Sequence, residues 1–379
     1  MKKVYIKSFP EYSIVYDDLV ISREGGPGPG DVVYVYHKSG KFIGSAFYNP
    51  HSRIALRIFS FKEEDFDYEY IKNVILRAYE YRKNLGFCEV FRLVYSEVDF
   101  MPGLIIDKYK DGFVFQVFSI GIEIRKQLII KALIEIFNPL FIYEKSTGHL
   151  RKLEGLPYIN KLHYGEIPDN YIIKINDINF KFFIGQKTSL FLDQAENYLK
   201  LSNYIKDGFE ILDAFCYVGG FGLHFLKKNV NVVFLDISES ALNILKENLT
   251  INKINGSYEI VCSDVFDYLK NCNRTFDFIV LDPPAFTKSK QKLENALKAY
   301  DRLHKLAVNL LNENGYLATF SCSFYITAEH LIESIKRVSK SNFIILESLY
   351  QSKDHPWALK FSESLYLKGF LLKKIWKSF

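Results

Sequence analysis

The chain has 379 residues, 48% of them hydrophobic, and a formal net charge of +5. This length favours two or three domains. The basic excess is small, so charge alone barely favours a nucleic-acid partner over a small-molecule one. No apolar run approaches the ~18 residues of a membrane span, and no signal-peptide core follows the basic start. The five cysteines form no Cys-x-x-Cys pair, which argues against a zinc site or a disulfide framework. We therefore expect a cytoplasmic protein with no membrane and no metal.

Residues 1–70 have the pattern of a small β-rich domain. A dense glycine and proline turn at 25–31 precedes short apolar runs, the clearest being the alternating segment 54–59. Basic residues are scattered through this region: Lys38, Lys41, His51, Arg53 and Arg57. They fit an ordinary solvated face as well as an RNA-binding one.

Residues 71–175 predict a central α+β domain. Apolar residues recur at helical spacing between 71 and 78, and Asp111-Gly112 separates two apolar runs as in a hairpin. Asp99 and Asp107 stand out as polar residues, and we expect structural roles for both. This domain is expected to be a spacer or part of an RNA cradle.

From 176 to 379 the pattern becomes βαβα, which indicates a parallel sheet covered by helices, as in a Rossmann-like domain. The predicted strands are 210–215, 231–235, 258–261, 276–281 and 316–320, followed by 342–349 and 364–371. The fold class is therefore α/β, with the Rossmann-like domain preceded by the β-rich and α+β domains.

The first strand of this domain runs into a glycine-rich turn whose glycines, at 219, 220 and 222, allow close approach of a ligand to the backbone. Their spacing is not that of the dinucleotide motif. Asp213 precedes the turn and could meet a cationic group, such as the amino group of S-adenosylmethionine.

Acidic residues also end the next strands. Asp236 could accept both hydroxyls of a ribose, and Asp264 the amine of an adenine. One such aspartate usually caps a helix. Four aspartates at the ends of successive strands, Asp213, Asp236, Asp264 and Asp282, favour a cofactor pocket over coincidental helix caps.

The fourth and fifth strands end in residues suited to base chemistry. Asp282-Pro283-Pro284 forms a stiff turn with free carbonyls, which suits holding the amine edge of a flipped base. Cys322 lies between two serines at the same sheet edge. Most cysteines are small buried hydrophobes, as we expect for Cys216, but this position favours a nucleophile.

With these motifs the chain resembles the rRNA large-subunit methyltransferase I family, which are class I S-adenosylmethionine-dependent cytosine-carbon-5 methyltransferases with an N-terminal PUA domain. The similarity covers nearly the whole chain. Its blocks are 185–194, 213–221, 282–286 with Lys288-Ser289-Lys290, 320–323, Asp354-His355-Pro356 and 102–107. Ser189 and Ala195 depart from the family pattern, which usually has Gly and Arg there.

The resemblance implies a PUA-like RNA-binding module over 1–70, 23S rRNA as substrate and Cys322 as nucleophile, with Asp282 as the second catalytic group. The cofactor-binding residues implied are Asp193, Gln194, Asp213, Phe215, Gly219, Gly220, Phe221, Asp236, Asp264 and Pro283. The expected RNA-binding residues are Lys288, Lys290 and His355, together with Lys187 unless it lines the cofactor pocket.

Two other functions stay open at this stage. The Asp-Pro-Pro turn could serve a methyltransferase that acts on an exocyclic amine without a thiol. A vestigial methyltransferase fold could instead belong to a non-catalytic RNA-binding assembly factor, which would bind no S-adenosylmethionine.

Overall fold

The computed structural model describes residues 1–185, 189–254, 256–287 and 289–375. Lys187 and Lys288, two of the predicted RNA contacts, lie outside these ranges. The chain divides into two compact units. Unit 1 comprises Met1–Ile173, Phe183–Ser189 and Lys353–Ser364, and unit 2 comprises Lys174–Phe182, Leu190–Ser352 and Leu365–Phe379.

Unit 1 begins with a six-stranded sheet in the order β2-β6-β5-β4-β1-β3, in which only β1 and β4 pair in parallel. Its strands are β1 Lys3–Ile6, β2 Ile14–Tyr16, β3 Val20–Glu24, β4 Val32–His37, β5 Phe42–Tyr48 and β6 Ile54–Ser60. The side chains of Val4, Ile6, Val33 and Val35 alternate into a buried core, as the period of two in a strand requires. The predicted β-rich region is confirmed.

A second, five-stranded sheet of unit 1 has the order β11-β10-β9-β8-β7 and is covered by helices. The elements are α1 Tyr68–Asn84, β7 Val90–Tyr95, β8 Leu104–Tyr109, β9 Gly112–Val117, α2 Ile120–Glu123, α3 Lys126–Phe137, β10 Phe141–Ser146, α4 His149–Leu153 and β11 Ile159–Gly165. Asp67 caps α1, and Ile71, Val74, Ile75 and Ala78 are its buried face, as predicted. The hairpin at Asp111-Gly112 is also present.

One core of unit 1 joins residues from both sheets, because Phe47 and Phe59 of the first pack with residues of α1 and the second. A domain boundary near residue 70 therefore stays a prediction. Unit 1 also takes up two later segments, which the predicted boundary at 175 assigns to the third domain.

Buried ion pairs occupy unit 1. Asp99 binds Arg82 at 2.6 Å and Asp107 binds Arg92 at 2.8 Å, which gives both carboxylates the structural role expected. Arg57 is 9% exposed and pairs with Glu97 and Glu154, so it does not belong to the solvated face suggested by the sequence.

Unit 2 is built on a seven-stranded sheet in the order β16-β15-β14-β17-β18-β20-β19, in which β20 alone runs antiparallel to its neighbours. A separate two-stranded hairpin precedes this sheet and consists of β12 Ile172–Ile175 and β13 Ile178–Lys181. The helices and strands that follow are α5 Ala195–Ser202, β14 Glu210–Ala214, α6 Gly220–Phe225, β15 Asn231–Asp236, α7 Glu239–Ile251, β16 Ser257–Cys262, α8 Val265–Asn271, β17 Phe276–Leu281, α9 Leu293–Leu310, β18 Leu311–Ser321, α10 Ala328–Val338, β19 Asn342–Tyr350 and β20 Lys368–Ile375.

The predicted α/β sheet is confirmed, with one error at its end. The last strand begins at Lys368, and Ser364 lies in a short 3-10 helix, Ser362–Ser364. The carboxyl ends of the parallel strands β14 to β18 share one edge, where ligands bind in open α/β sheets. No helix of the described residues is long and apolar enough to cross a membrane.

Candidate functional site

The turn after β14 has a strained backbone. Phe215 and Tyr217 have φ of 63° and 52°, in the left-handed region, and Gly219 has φ of 89°. Non-glycine residues adopt this region rarely, and such residues cluster at ligand sites. A side chain at Gly220 would meet the Tyr198 hydroxyl at 2.5 Å, so the backbone approach there requires glycine.

Asp213, at the end of β14, is buried with one carboxylate oxygen satisfied. Its Oδ2 accepts a hydrogen bond from the Gly222 N–H at 2.8 Å, and its Oδ1 has no partner among the described residues. Burial raises the pKa of this carboxyl to about 7, although the Gly222 N–H opposes the rise. A buried acceptor without a donor carries a penalty, which a bound cationic amine would remove.

Asp236, at the end of β15, holds the same turn in place. Its Oδ2 accepts from the Tyr217 N–H and its Oδ1 from the Ser238 N–H, both at 2.8 Å. The side chain is half-buried. Each carboxylate oxygen can accept a further hydrogen bond, so the group still suits a pair of ribose hydroxyls.

Asp264 lies two residues beyond β16 and caps α8. Its Oδ1 accepts from the Asp267 N–H at 3.1 Å, and the residue is exposed. This is the helix-cap role that aspartates often have after a strand. A contact between Asp264 and an adenine stays a prediction.

Asp282 is oriented by residues that precede β14. Gln194 donates from Nε2 to Asp282 Oδ2 at 3.0 Å, and Asn197 donates to Gln194 Oε1 at 2.7 Å. Gln194, predicted to bind the cofactor, therefore positions the carboxylate of Asp282. The next residue, Pro283, is buried and Pro284 is exposed.

Tyr198 on α5 lies among the predicted carboxylates. Burial raises its pKa well above the ordinary value, and the charges of Asp193, Asp282 and Asp213 add to the rise. Asp193 itself accepts a hydrogen bond from the Tyr366 hydroxyl at 2.5 Å. Phe221 contacts the Tyr198 ring edge-to-face, with centroids 4.8 Å apart. Of the predicted site residues, Asp193, Asp213, Phe221 and Asp282 therefore lie around Tyr198.

Cys322 follows the end of β18 and is half-buried. The loop around it is held from two sides. Lys368 donates from Nζ to the Ser323 carbonyl at 2.6 Å, and the Ser323 hydroxyl donates to the Thr287 carbonyl at 2.9 Å. Burial lowers the pKa of the Lys368 ammonium to about 8, and the nearby Cys322 opposes that shift. An ammonium within electrostatic range of a thiol favours the thiolate.

Tyr300 on α9 lies within electrostatic range of both Asp282 and Cys322. Burial raises the pKa of its hydroxyl, and the charges of Cys322 and Asp282 both add to that rise. The hydroxyl donates to the Phe320 carbonyl at 3.1 Å. The strands that carry the two groups, β17 and β18, are parallel neighbours, with Leu281 opposite Thr319.

Cys216 differs from Cys322 in its surroundings. It is 5% exposed in the glycine-rich turn, and burial raises the pKa of its thiol well above the ordinary value, with Asp213 and Asp236 adding to the rise. A thiol in such a place stays protonated and unreactive. The expected packing role of Cys216 agrees with these surroundings.

The two described residues of the predicted RNA-binding set differ in exposure. Lys290 is exposed at the start of a 3-10 helix. His355 is 1% exposed, and its Nδ1 lies 2.9 Å from Asp354 Oδ1. Asp354 in turn accepts from the Arg92 N–H at 2.7 Å. This block anchors a late segment within unit 1, and little of His355 is accessible to RNA.

Sequence reasoning missed Tyr198, Tyr300, Tyr366 and Lys368. The two tyrosines on helices occupy positions in apolar repeats, where they look like core residues. Lys368 is a buried lysine at the start of the apolar strand β20, and its place next to apolar residues was the one available signal for it. None of these four residues lies next to a recognised motif.

The residues present fit S-adenosylmethionine. Asp213 offers a buried acceptor for the amino group, Asp236 two oxygens for the ribose, and the turn at Gly219 and Gly220 a close backbone approach. Among the described residues, no group of three or more His, Cys, Asp or Glu could hold a metal ion.

Comparisons with known proteins agree with this site. Residues 11–61 match the PUA-like domain family, and residues 190–343 match the methyltransferase small domain family. A methyltransferase domain of this fold implies S-adenosylmethionine as the methyl donor, and this is the cofactor. The crystal structure of SMU.776 complexed with SAH has a TM-score of 0.84 at 22% identity, covering 98% of this chain and 100% of that one, and it shares the fold.

Two sequence relatives cover almost the full length. A chain from Methanocaldococcus jannaschii, MJ1653, named as a candidate ribosomal RNA large subunit methyltransferase, is 38% identical over 90% of this chain and 89% of its own. Ribosomal RNA large subunit methyltransferase I of Tolumonas auensis is 34% identical over 98% of this chain and 99% of its own. The chain therefore belongs to the ribosomal RNA large subunit methyltransferase I family.

Proposed function

We propose that this protein transfers a methyl group from S-adenosylmethionine to carbon 5 of a cytosine in 23S rRNA, through a covalent adduct with Cys322. The names of the relatives support large-subunit rRNA as the substrate. The observation that carries the proposal is the half-buried thiol of Cys322 after β18, next to the parallel strand β17 that leads to Asp282. The loop around this thiol is held by the Lys368 ammonium, which donates to the Ser323 carbonyl.

The cofactor would be held by the turn after β14 and by the ends of the next strands. Asp213 would bind the amino group, Asp236 the ribose and Asp264 the adenine amine, while Phe215, Phe221 and Pro283 would line the pocket. Bound S-adenosylmethionine supplies an electrophilic methyl group. Asp193, through Tyr366, fixes the segment before α5 that carries Gln194.

The chemistry would begin with a cytosine taken out of its stack, because its ring face is otherwise unreachable. The Cys322 thiolate adds to carbon 6, and the electron pair displaced makes carbon 5 nucleophilic. The carboxyl of Asp282, oriented by Gln194, hydrogen-bonds the ring nitrogen and the exocyclic amine and stabilises the charge that develops. After carbon 5 has taken the methyl group, a base removes the proton that carbon 5 still carries. The electron pair of that C–H bond re-forms the double bond between carbons 5 and 6, and the bond to Cys322 breaks with its pair returning to sulfur.

Lys368 would act through Cys322. Its ammonium donates to the carbonyl of the residue after the thiol, and its positive charge favours the thiolate. Phosphates of the RNA would meet exposed lysines, among them Lys290 and, outside the described residues, Lys187 and Lys288.

The test uses rRNA that carries 5-fluorocytosine. Fluorine cannot leave as a proton, so the adduct should stall after methylation and RNA should remain covalently bound to the protein, only when S-adenosylmethionine is present. Cys322→Ala should abolish the adduct and methyl transfer but keep cofactor binding. Cys216→Ala is the matched control and should keep adduct formation and methyl transfer.

Two results would overturn this mechanism. Methyl transfer that survives in Cys322→Ala would indicate a reaction on an exocyclic amine by way of the Asp-Pro-Pro turn. A chain that binds no S-adenosylmethionine in a calorimetric titration would indicate a non-catalytic assembly factor.

A further inference from the structure

Unit 1 contains a cavity of about 500 Å³ that the mechanism does not use. It lies between the segment that follows β6 and the exposed side of α1. Its floor is formed by Phe59 and Val74, which are buried. Cavities of this size hold small molecules or single nucleotides.

Aromatic rings form the walls. Phe61 is 51% exposed and meets Phe100 edge-to-face, with centroids 6.3 Å apart and planes at 89°. A phenylalanine so exposed gains little from folding, which is expected of a residue that stacks on a ligand. The Arg77 guanidinium lies 5.3 Å from the Phe100 centroid and extends the planar surface.

The backbone at Phe100 is strained, because its φ is 59° and bulky residues rarely adopt that region. Neighbouring groups hold it there. Its N–H donates to the Glu97 carbonyl at 3.2 Å. The Tyr70 hydroxyl, which donates to the Phe59 carbonyl at 2.6 Å, lies 3.3 Å from the carbonyl of Phe100. Strain kept in place by surrounding contacts is typical of ligand sites.

Hydrogen-bond donors face the cavity without protein acceptors. Asn73 and Arg77 stand one turn apart on α1 and line the cavity, and their side chains form no hydrogen bond to any described residue. On the same helix, Arg82 is fully buried and is bound to Asp99 and to the Asp354 carbonyl. The contrast marks Arg77 as a residue with donors to offer a ligand.

We propose that this cavity receives a nucleobase of the RNA substrate other than the methylated one, splayed out and stacked on Phe61 and Phe100. The inference rests on the proposed function in so far as the ligand is RNA. Three carboxylates, Glu64, Asp65 and Asp67, line the cavity against two cations, Lys62 and Arg77, and this acidic excess disfavours a phosphate there. Carboxylates also accept hydrogen bonds from the exocyclic amines of bases. The ligand is thus a base with an exocyclic amine, whose sugar and phosphate stay outside.

The test measures binding of the full chain to fluorescein-labelled single-stranded hexamers of cytidine, adenosine and uridine by anisotropy. Stacking on an aromatic residue contributes enough that Phe61→Ala should weaken binding of the amine-bearing hexamers by about 5- to 100-fold. Arg77→Ala should weaken it at least fivefold, and the uridine hexamer should bind most weakly to the parent chain.

Matched controls separate the cavity from general effects of charge and exposure. Tyr158→Ala removes another aromatic side chain of unit 1, 49% exposed, and Lys83→Ala removes an exposed charge from α1. Both should bind as the parent does. Unchanged midpoints of urea denaturation in all four variants check that they are folded.

Further measurements would support or overturn the assignment of the cavity as a base site. Ultraviolet cross-linking followed by mass spectrometry should place a nucleotide on the peptide that contains Phe61, and its absence overturns the cavity as a base site. Equal affinities of Phe61→Ala and the parent overturn it too, and leave the Cys322 mechanism untouched. A parent chain that binds none of the hexamers overturns it as well. Trilysine bound by the parent but not by Phe61→Ala, with RNA affinity unchanged, would reassign the cavity to a cationic protein segment.

Discussion

Buried carboxylates have different surroundings in the two units. In unit 1, Glu97, Asp107, Glu144 and Glu154 are paired with cations. Glu144 has no exposed surface, and although burial alone raises its pKa, hydrogen bonds from Ser146, Lys126 and His163 lower it below the ordinary value. In unit 2, Asp213 is equally buried, has one backbone N–H as its partner among the described residues, and has its pKa raised to about 7.

The difference separates structural charges from functional ones. A buried carboxylate with a cation beside it is satisfied by the fold, and removing one partner strands the other. A buried carboxylate without a cation is destabilising by itself, and it persists where a ligand supplies the missing charge. The predictions below test that distinction from both sides.

The largest effect is expected for the structural pair of Arg82 and Asp99. Asp99→Ala leaves the fully buried guanidinium of Arg82 without its carboxylate, which should lower the free energy of unfolding by about 3–5 kcal/mol. Urea denaturation measures this change. Glu135→Ala, which breaks an exposed pair with Lys72, is the control and should have little effect. Both variants should bind S-adenosylmethionine normally, and a cofactor defect in Asp99→Ala would contradict the distinction.

Asp213→Asn should have the opposite pattern. The amide still accepts from the Gly222 N–H, but it loses a charge-assisted hydrogen bond to the cofactor, worth about 1.5–3 kcal/mol, so affinity should fall about 10- to 150-fold. Stability at pH 8 should not fall, because the variant no longer buries a charge. Calorimetry and urea denaturation at that pH test both parts, and a variant as unstable as Asp99→Ala would place Asp213 among the structural carboxylates.

Cofactor binding should depend on pH through Asp213. Its pKa of about 7 in the folded protein lies above the ordinary value of 3.8, so the stability that this carboxyl contributes is present below about pH 4 and is lost as the pH rises through 7. The cofactor needs the ionised form. Its dissociation constant should therefore rise as the pH falls below 7, approaching about tenfold per pH unit. Asp213→Asn should remove this dependence, and a parent with a flat profile between pH 5.5 and 8 would contradict the assignment.

The smallest effect is expected at Asp236, whose carboxylate is already shared with two backbone N–H groups. Asp236→Ala should weaken S-adenosylmethionine binding by about tenfold, through lost hydrogen bonds to the ribose. Titration with 2′-deoxy and 3′-deoxy analogues should give smaller losses in the variant than in the parent. Equal losses in both proteins would remove Asp236 from the ribose site.

The sequence alone determined the local features of this protein. The period of two in 54–59, the helical spacing in 71–78 and the βαβα alternation after 176 each reflect which side chains a strand or helix must bury, and that information lies in neighbouring residues. The order of the aspartates at the strand ends and the isolation of Cys322 between two serines were visible for the same reason. Their common edge followed from the rule for parallel sheets.

Only the tertiary structure decided which charges are satisfied. Arg57 looked solvated and is buried between Glu97 and Glu154, 40 and 97 residues away along the chain. His355 looked like an RNA contact and is buried at 1% exposure. Lys368 reaches the Cys322 loop because β20 pairs antiparallel with β18, with Lys368 opposite Ser321. Electrostatic partners depend on distance in space, and a sequence pattern records only distance along the chain.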